Sequence, residues 1–144
     1  MSDKLKLANQ VCFPIYTLSK EVINHYRPLL KELDLTYPQY LVMLVLWEEG
    51  EQNVSTLGAK LNLDSGTLTP LLKRLANKNL IERNRKATDE RVVSITLTAQ
   101  GKLKKKAAQS IPSKIASSLN VSTADLAQLK KIIDQIITQI NKEK

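Results

Sequence analysis

The stretch Leu63-Asp64-Ser65-Gly66-Thr67-Leu68-Thr69-Pro70-Leu71-Leu72-Lys73-Arg74-Leu75, followed closely by Leu80-Ile81-Glu82-Arg83, decides the fold. Asp64-Ser65 is a helix N-cap signal, and Leu68, Leu71, Leu72 and Leu75 recur at helical spacing with one face inward. After Asn79 the period falls from about 3.6 to 2. Leu80–Arg83 and Arg91-Val92-Val93-Ser94-Ile95-Thr96-Leu97 read as strands joined by a charged hairpin loop over Asn84–Glu90. Upstream, Ser55 is positioned to cap a short helix ending near Leu61. Two short helices joined by a tight turn form a helix-turn-helix, and a basic hairpin directly after it makes a wing. The expected class is mainly α with a small β-hairpin wing: a winged helix-turn-helix.

Working outward, Thr36-Tyr37-Pro38-Gln39 is a capping box opening a nearly continuous apolar, buried helix to Trp47, with a turn over Glu48–Asn53. Residues 5–33 read as one long helix carrying Leu18, Val22, Ile23, Tyr26, Leu29, Leu30 and Leu33. Pro14 suits a first turn, whereas Pro28 is expected to bend or interrupt that helix. Downstream, Thr98 caps a fifth helix reaching about Pro112. Ser122-Thr123-Ala124-Asp125 opens a last one with Leu126, Leu129, Ile132, Ile133, Ile136, Ile137 and Ile140 on one face. The first and last helices lack an obvious partner in so small a core, so they are expected to pair across a two-fold axis in a homodimer. The expectation is a single domain over 1–144, with 5–33 and 99–140 as dimerisation helices and 37–98 as the DNA-binding module.

Composition narrows the function. The 144 residues include 22 Lys+Arg and 14 Asp+Glu, with one Cys and one His. Eleven of the basic residues and only three acids fall between Lys73 and Lys106, so this segment alone holds the net +8. That is the electrostatic footprint of a nucleic-acid binder, with a solvated face as the plain alternative. One cysteine permits no internal disulfide and no multi-thiolate metal site, and one histidine disfavours most hydrolytic centres. No cofactor and no metal are expected. The beginning, MSDKLKLANQ, lacks a signal-peptide core and no apolar run suffices to span a bilayer, so a reducing cytoplasm and no membrane partner are expected.

With its leucines inward, the helix from Ser65 keeps Ser65, Thr67, Thr69, Lys73 and Arg74 outward, while Gly66 permits close backbone approach. Short hydroxyl side chains reach base edges or phosphates, and Arg or Lys reaches guanine or phosphate. Arg85, Lys86 and Arg91 sit near the hairpin tip, where a long cation can enter a narrow minor groove. Lys102, Lys104, Lys105 and Lys106 are expected to face solvent or distant phosphates. A lone cysteine is commonly a small buried hydrophobe. Cys12, however, lies one helical turn from Tyr16 and beside the helix start marked by Pro14. A helix N-terminus stabilises thiolate and a tyrosine hydroxyl can donate to it.

Asp89-Glu90-Arg91 through Leu97-Thr98 resembles the Asp-x-Arg…Leu-Thr wing signature of the MarR family, and Leu63–Leu75 resembles the recognition helix of its peroxide-sensing branch. Cys12-Phe13, Tyr16, Ser19, Tyr26 and Thr36-Tyr37-Pro38-Gln39-Tyr40 resemble the sensor region of the OhrR and SarZ branch, although Pro14 stands where an aliphatic residue is usual. The resemblance implies a bacterial DNA-binding regulator, a repressor and not an enzyme, on a pseudo-palindromic double-stranded operator. It implies that Asp89 orients Arg91, and that Tyr26 and Tyr37 of one subunit reach Cys12 of the other. Organic hydroperoxide would oxidise Cys12 to sulfenic acid, loosen the tyrosine contacts and release the operator. With no second cysteine, the sulfenic acid would leave through a low-molecular-weight thiol, a sulfenamide or overoxidation. Three alternatives stay open: a regulator answering to a small phenolic ligand, a SarZ-like global redox-tuned regulator, and a thiol peroxidase.

Overall fold

The computed structural model describes residues 2–143. Among these, seven helices and a three-stranded sheet follow the order α1 (Cys12–Lys31), α2 (Tyr37–Glu49), β1 (Gln52–Asn53), α3 (Val54–Leu61), α4 (Ser65–Asn77), β2 (Ile81–Lys86), β3 (Asp89–Leu97), α5 (Ala99–Ala108), α6 (Ile111–Leu119) and α7 (Thr123–Lys142). The chain divides into two compact units, one ending at Gln109 and one beginning at Ser110.

In the first unit, α1 begins later than the expected residue 5. The preceding residues form two short 3-10 turns, Ser2–Leu5 and Leu7–Asn9. The Asn9 amide donates to the Asp3 carbonyl and Gln10 donates to the carbonyls of Lys4 and Lys6, so side chains compete with the helical ladder there. Pro14 falls in the first turn, where a missing N–H costs nothing. Pro28 does not interrupt α1, which runs three residues further before Asp34 turns the chain at φ 54°. The capping box opens α2 as expected: Thr36 Oγ1 accepts from the Gln39 amide at 3.4 Å and Gln39 Oε1 from the Thr36 amide at 3.0 Å.

The cap of α3 is Asn53 rather than Ser55. Asn53 Oδ1 accepts from the Thr56 amide at 2.7 Å and from Ser55 Oγ at 2.8 Å, so Ser55 is already the first turn. Asn53 also ends β1, a two-residue strand that the expected turn over Glu48–Asn53 concealed. Asn62, left-handed at φ 54°, stops α3, and Asp64 caps α4 through the Thr67 amide at 2.7 Å. Leu68, Leu71, Leu72 and Leu75 are all buried, as their spacing required.

The hairpin is longer than expected. β2 continues through Arg85 and Lys86, β3 starts at Asp89, and only Ala87 and Thr88 remain between the strands. A two-stranded ribbon exposed on both faces carries charged and polar residues on both, so alternation cannot mark its ends. β3 is central in the order β1-β3-β2, paired as Ile81↔Leu97, Asn84↔Ser94 and Gln52↔Ile95, with an irregularity between Arg85 and Lys86. Thr98 caps α5 by accepting from the Gly101 amide at 3.0 Å. Gly101 is required by space, because a Cβ there would lie 2.1 Å from the Leu80 carbonyl oxygen. The fifth helix stops at Ala108 and not near Pro112, which instead sits in the first turn of α6.

In the second unit α6 ends at the left-handed Asn120 and Ser122 caps α7 through the Asp125 amide at 3.1 Å. The stripe expected on α7 is present and uncovered within one chain: Leu129, Ile132, Ile133, Ile136, Ile137 and Ile140 are all exposed. So are Phe13, Ile15 and Leu18 on α1.

Candidate DNA interface and thiol site

The outward surface of α4 holds the expected residues. Ser65, Gly66, Thr67, Lys73 and Arg74 are exposed and Thr69 is half-buried. Thr67, by its side chain first and its amide second, holds the Asp64 carboxyl below the usual carboxylate range. The start of α4 is thereby fixed beside three small residues that let the backbone approach a groove. Pro70 lies inside α4 without ending it. Having no N–H, it cannot bond the Gly66 carbonyl one turn back.

On the wing, Arg91 Nε donates to Asp89 Oδ1 at 3.1 Å, and the Arg91 amide donates to the same oxygen at 3.1 Å. Arg91 holds the Asp89 carboxyl below its ordinary value. The Arg91 side chain still remains 92% exposed, so the pair aims the guanidinium without hiding it. Arg85 donates to the Glu90 carbonyl at 2.8 Å, which ties the two strands at the tip, while Lys86 is exposed and makes no ion pair among the described residues. Lys104 does not face solvent as expected: it is half-buried and donates to the Leu33 carbonyl at 2.5 Å. Lys102, Lys105 and Lys106 are exposed.

Cys12 is exposed and is the first residue of α1. Tyr16, one turn on, is 60% exposed, with Lys20 Nζ 4.3 Å from its ring centroid, and Ser19 donates to the Tyr16 carbonyl at 2.8 Å. Tyr26 lies 14 residues beyond Cys12, about 21 Å along the helix at the ordinary rise, so one chain does not bring the expected sensor residues together. Tyr26 and Tyr37 do meet each other, with ring centroids 4.7 Å apart. Tyr40 and Trp47 extend this group: Tyr40 lies 5.9 Å from Tyr26 and 6.4 Å from Trp47, whose Nε1 donates to the Gly101 carbonyl at 2.9 Å. Burial, aided by Tyr37 and Tyr40, pushes the Tyr26 hydroxyl up to about 12, and burial raises Tyr37 and Tyr40 as well. All three hydroxyls therefore keep their protons near neutrality and can donate.

Sequence reading placed Tyr40 in the sensor-like stretch and Lys78 in the basic segment, but gave neither of them, nor Trp47, an individual part in the site. Their part follows from the packing of α2 against α1 and α4, which no local pattern reveals. A cavity of about 540 Å³ opens beside Tyr37, lined by Ile23, Leu30, Leu35 and Pro38 with Arg27 and Lys78. Among the described residues no group of three or more His, Cys, Asp or Glu could hold a metal ion, and no helix is long and apolar enough to cross a membrane.

Residues 24–108 match the transcriptional regulator SarA/Rot family. The chain is 45% identical over 141 residues to the organic hydroperoxide resistance transcriptional regulator of Bacillus subtilis, covering 98% of this chain and 96% of that one. It is 40% identical over 133 residues to the regulator SarZ of Staphylococcus saprophyticus, covering 92% and 91%. Among solved structures it is similar to reduced AbfR bound to DNA, with a TM-score of 0.84, 35% identity and coverage of 97% and 96%. AbfR, a Staphylococcus epidermidis protein, has also been solved overoxidised on DNA (TM-score 0.78, 34% identity, coverage 96% and 98%) and in a disulfide form (0.65, 36%, 99% and 97%). The chain belongs to the MarR-type winged helix-turn-helix regulators of transcription, in the branch that contains the organic hydroperoxide resistance regulator and SarZ.

Proposed function

We propose that the protein is a homodimeric repressor that binds a pseudo-palindromic operator and releases it when an organic hydroperoxide oxidises Cys12. The observation that carries the reading is the placement of Cys12: exposed, at the first residue of a 20-residue helix, one turn from Tyr16, in a chain 45% identical to a hydroperoxide resistance regulator. The sulfur attacks one peroxide oxygen, the O–O bond breaks, and sulfur leaves as sulfenic acid with two electrons lost. The displaced alkoxide takes up a proton and departs as alcohol. Tyr26 and Tyr37 of the partner subunit supply hydroxyl donors to the thiolate, and their contacts weaken when its negative charge is lost.

The exposed apolar faces of α1 and α7 support a two-fold dimer, which sets the two α4 helices at about one DNA turn, ~34 Å. Ser65, Gly66, Thr67, Thr69, Lys73 and Arg74 then enter the major groove, while Arg85, Lys86 and Arg91, the last held by Asp89, serve the minor groove and its phosphates. Breaking the tyrosine contacts shifts the dimer to a population whose spacing no longer fits. Each chain holds one cysteine, so the oxidised sulfur leaves by mixed disulfide with a low-molecular-weight thiol or another chain, by sulfenamide, or by overoxidation. Overoxidised AbfR was solved on DNA, which favours release at the sulfenic or mixed-disulfide stage here. One event per thiol makes this a stoichiometric cytoplasmic sensor rather than a peroxidase.

Fluorescence anisotropy on the protein's own upstream DNA tests this, titrating cumene hydroperoxide against wild type and Cys12→Ser. Wild type alone is expected to release. The cavity beside Tyr37 supports a second reading, a small phenolic effector, and a response retained by Cys12→Ser would put it first.

A further inference from the structure

We infer that Lys78 is the positioning residue that transmits the state of Tyr37 to the recognition helix; this rests on the peroxide-release reading above. Lys78 is the C-cap of α4, and its amide bonds the Arg74 carbonyl at 3.1 Å. Its side chain leaves the DNA-facing surface and is 27% exposed. Nζ donates to the Asp34 carbonyl at 2.5 Å and to Gln39 Oε1 at 3.1 Å, and lies 3.6 Å from Asp34 Oδ1. Two of the three ammonium donors are thus taken by hydrogen bonds, and the Asp34 carboxylate adds an ion pair.

Gln39 is the point of leverage. It is 2% exposed, and the same Oε1 that receives Lys78 also accepts from the Thr36 amide. A single oxygen therefore joins the end of α4 to the first turn of α2, where Tyr37 is the first helical residue. Tyr37 touches Tyr26 on one side and the cavity of about 540 Å³ on the other, and Lys78 lines that same cavity. Tyr37 thus has room to move when its thiol contact weakens, and any displacement of the α2 turn pulls on a half-buried charge-assisted bond whose other end is α4. Lys104 tethers the neighbouring Leu33 carbonyl, so the loop between α1 and α2 pivots between two ammonium groups rather than flexing freely.

A phosphate contact or a plain fold element would act alike in both redox states; a transmitter acts on their difference. The full-length protein is therefore compared as wild type, Lys78→Met, Lys78→Arg and Gln39→Met. Operator affinity is measured before and after cumene hydroperoxide, and Cys12 oxidation is followed by dimedone labelling and mass spectrometry. Lys78→Met is expected to oxidise at the wild-type rate and to bind reduced-state operator within about threefold of wild type, yet to lose about tenfold of the oxidation-induced drop in affinity. Lys78→Arg, which keeps charge and donors, restores most of it. Gln39→Met, which removes the acceptor, reproduces the loss and decides the matter should Lys78→Met fail to fold. A wild-type ratio of oxidised to reduced affinity in Lys78→Met or Gln39→Met overturns the assignment, as does an equal weakening in both states. If wild-type Cys12 is not oxidised, or is oxidised without release, the sensing reading itself fails, and the labelling separates that result from a failure of Lys78.

Discussion

The winged module and the outer helices solve the problem of burial in opposite ways. Between Tyr37 and Leu97, Val42, Met43, Leu57, Leu68, Leu75 and Ile95 are fully enclosed within one chain, on three helices and the central strand. Helix α7 buries none of its residues and α1 buries only Leu30, although both carry long apolar stripes. The winged module is thus enclosed within one chain, while Cys12, Tyr16 and the α7 stripe lie exposed on it, where the proposed dimer would cover them. Stability and sensing should therefore separate under mutation.

The largest effect is expected inside the module. Leu72→Ala should cost about 2–5 kcal/mol in urea denaturation, since Leu72 is 1% exposed and α4 cannot collapse around the void. A loss below about 1 kcal/mol would mean that the module core is looser than its packing indicates. The paired change Ile133→Lys with Ile137→Lys should leave that transition in place. It should instead convert a dimer to a monomer in sedimentation and weaken operator binding by at least about tenfold, because one half-site then binds without the other. An unchanged mass would remove α7 from the interface.

The aromatic group sharpens the comparison, because it joins the two: Tyr37, Tyr40 and Trp47 belong to the self-contained module, whereas Tyr26 lies on α1. In the unfolded chain Tyr26 loses its proton near the ordinary value of 10.0; in the folded chain it does so only at about 12. The unfolded state therefore releases its proton first. The burial contribution is complete below pH 10 and is lost as pH rises toward 12. Alkaline denaturation of Tyr26→Phe should lack this component, and a pH dependence identical to wild type would place the ring in solvent.

Legibility in the sequence follows the same divide. Where a residue satisfies its own neighbours the reading was accurate: the Thr36 capping box, the Asp64 cap, the four leucines of α4 and the Thr98 cap each depend on residues within four positions. Errors arose where two local solutions compete. Asn53 and Ser55 both cap helices well, and only the pairing of Asn53 with Ser94 on β3 selects Asn53. Pro112 reads equally as an end or a beginning. The site was legible in its residue types but not in its assembly, since Tyr37, Tyr40 and Lys78 acquire their neighbours through helix packing. Asn53→Ala is accordingly expected to cost about 1 kcal/mol and Ser55→Ala only a few tenths, read by thermal unfolding. The reverse order would restore Ser55 as the cap.

The smallest effect belongs to the wing tip, where nothing is buried. Arg91 donates to Asp89 from both side chain and amide and holds the carboxyl below its ordinary value of 3.8. A depressed carboxylate lends its contribution above the unfolded value and loses it as pH falls through the folded one. The tip should thus stay organised from neutrality down to about 4 and loosen only below. The backbone amide resonance of Arg91 reports this directly, since that amide is one of the two donors. It should hold its position through the ordinary aspartate range and shift beneath it, while global stability barely changes because exposed ion pairs are weak. In Asp89→Asn the acid shift should vanish and operator affinity should fall modestly, because Arg91 loses its aim but keeps its charge. An amide that titrates at or above 3.8 would mean that Asp89 does not restrain Arg91 in solution, and the cation proposed for the minor groove would then have to be sought at Arg85 or Lys86.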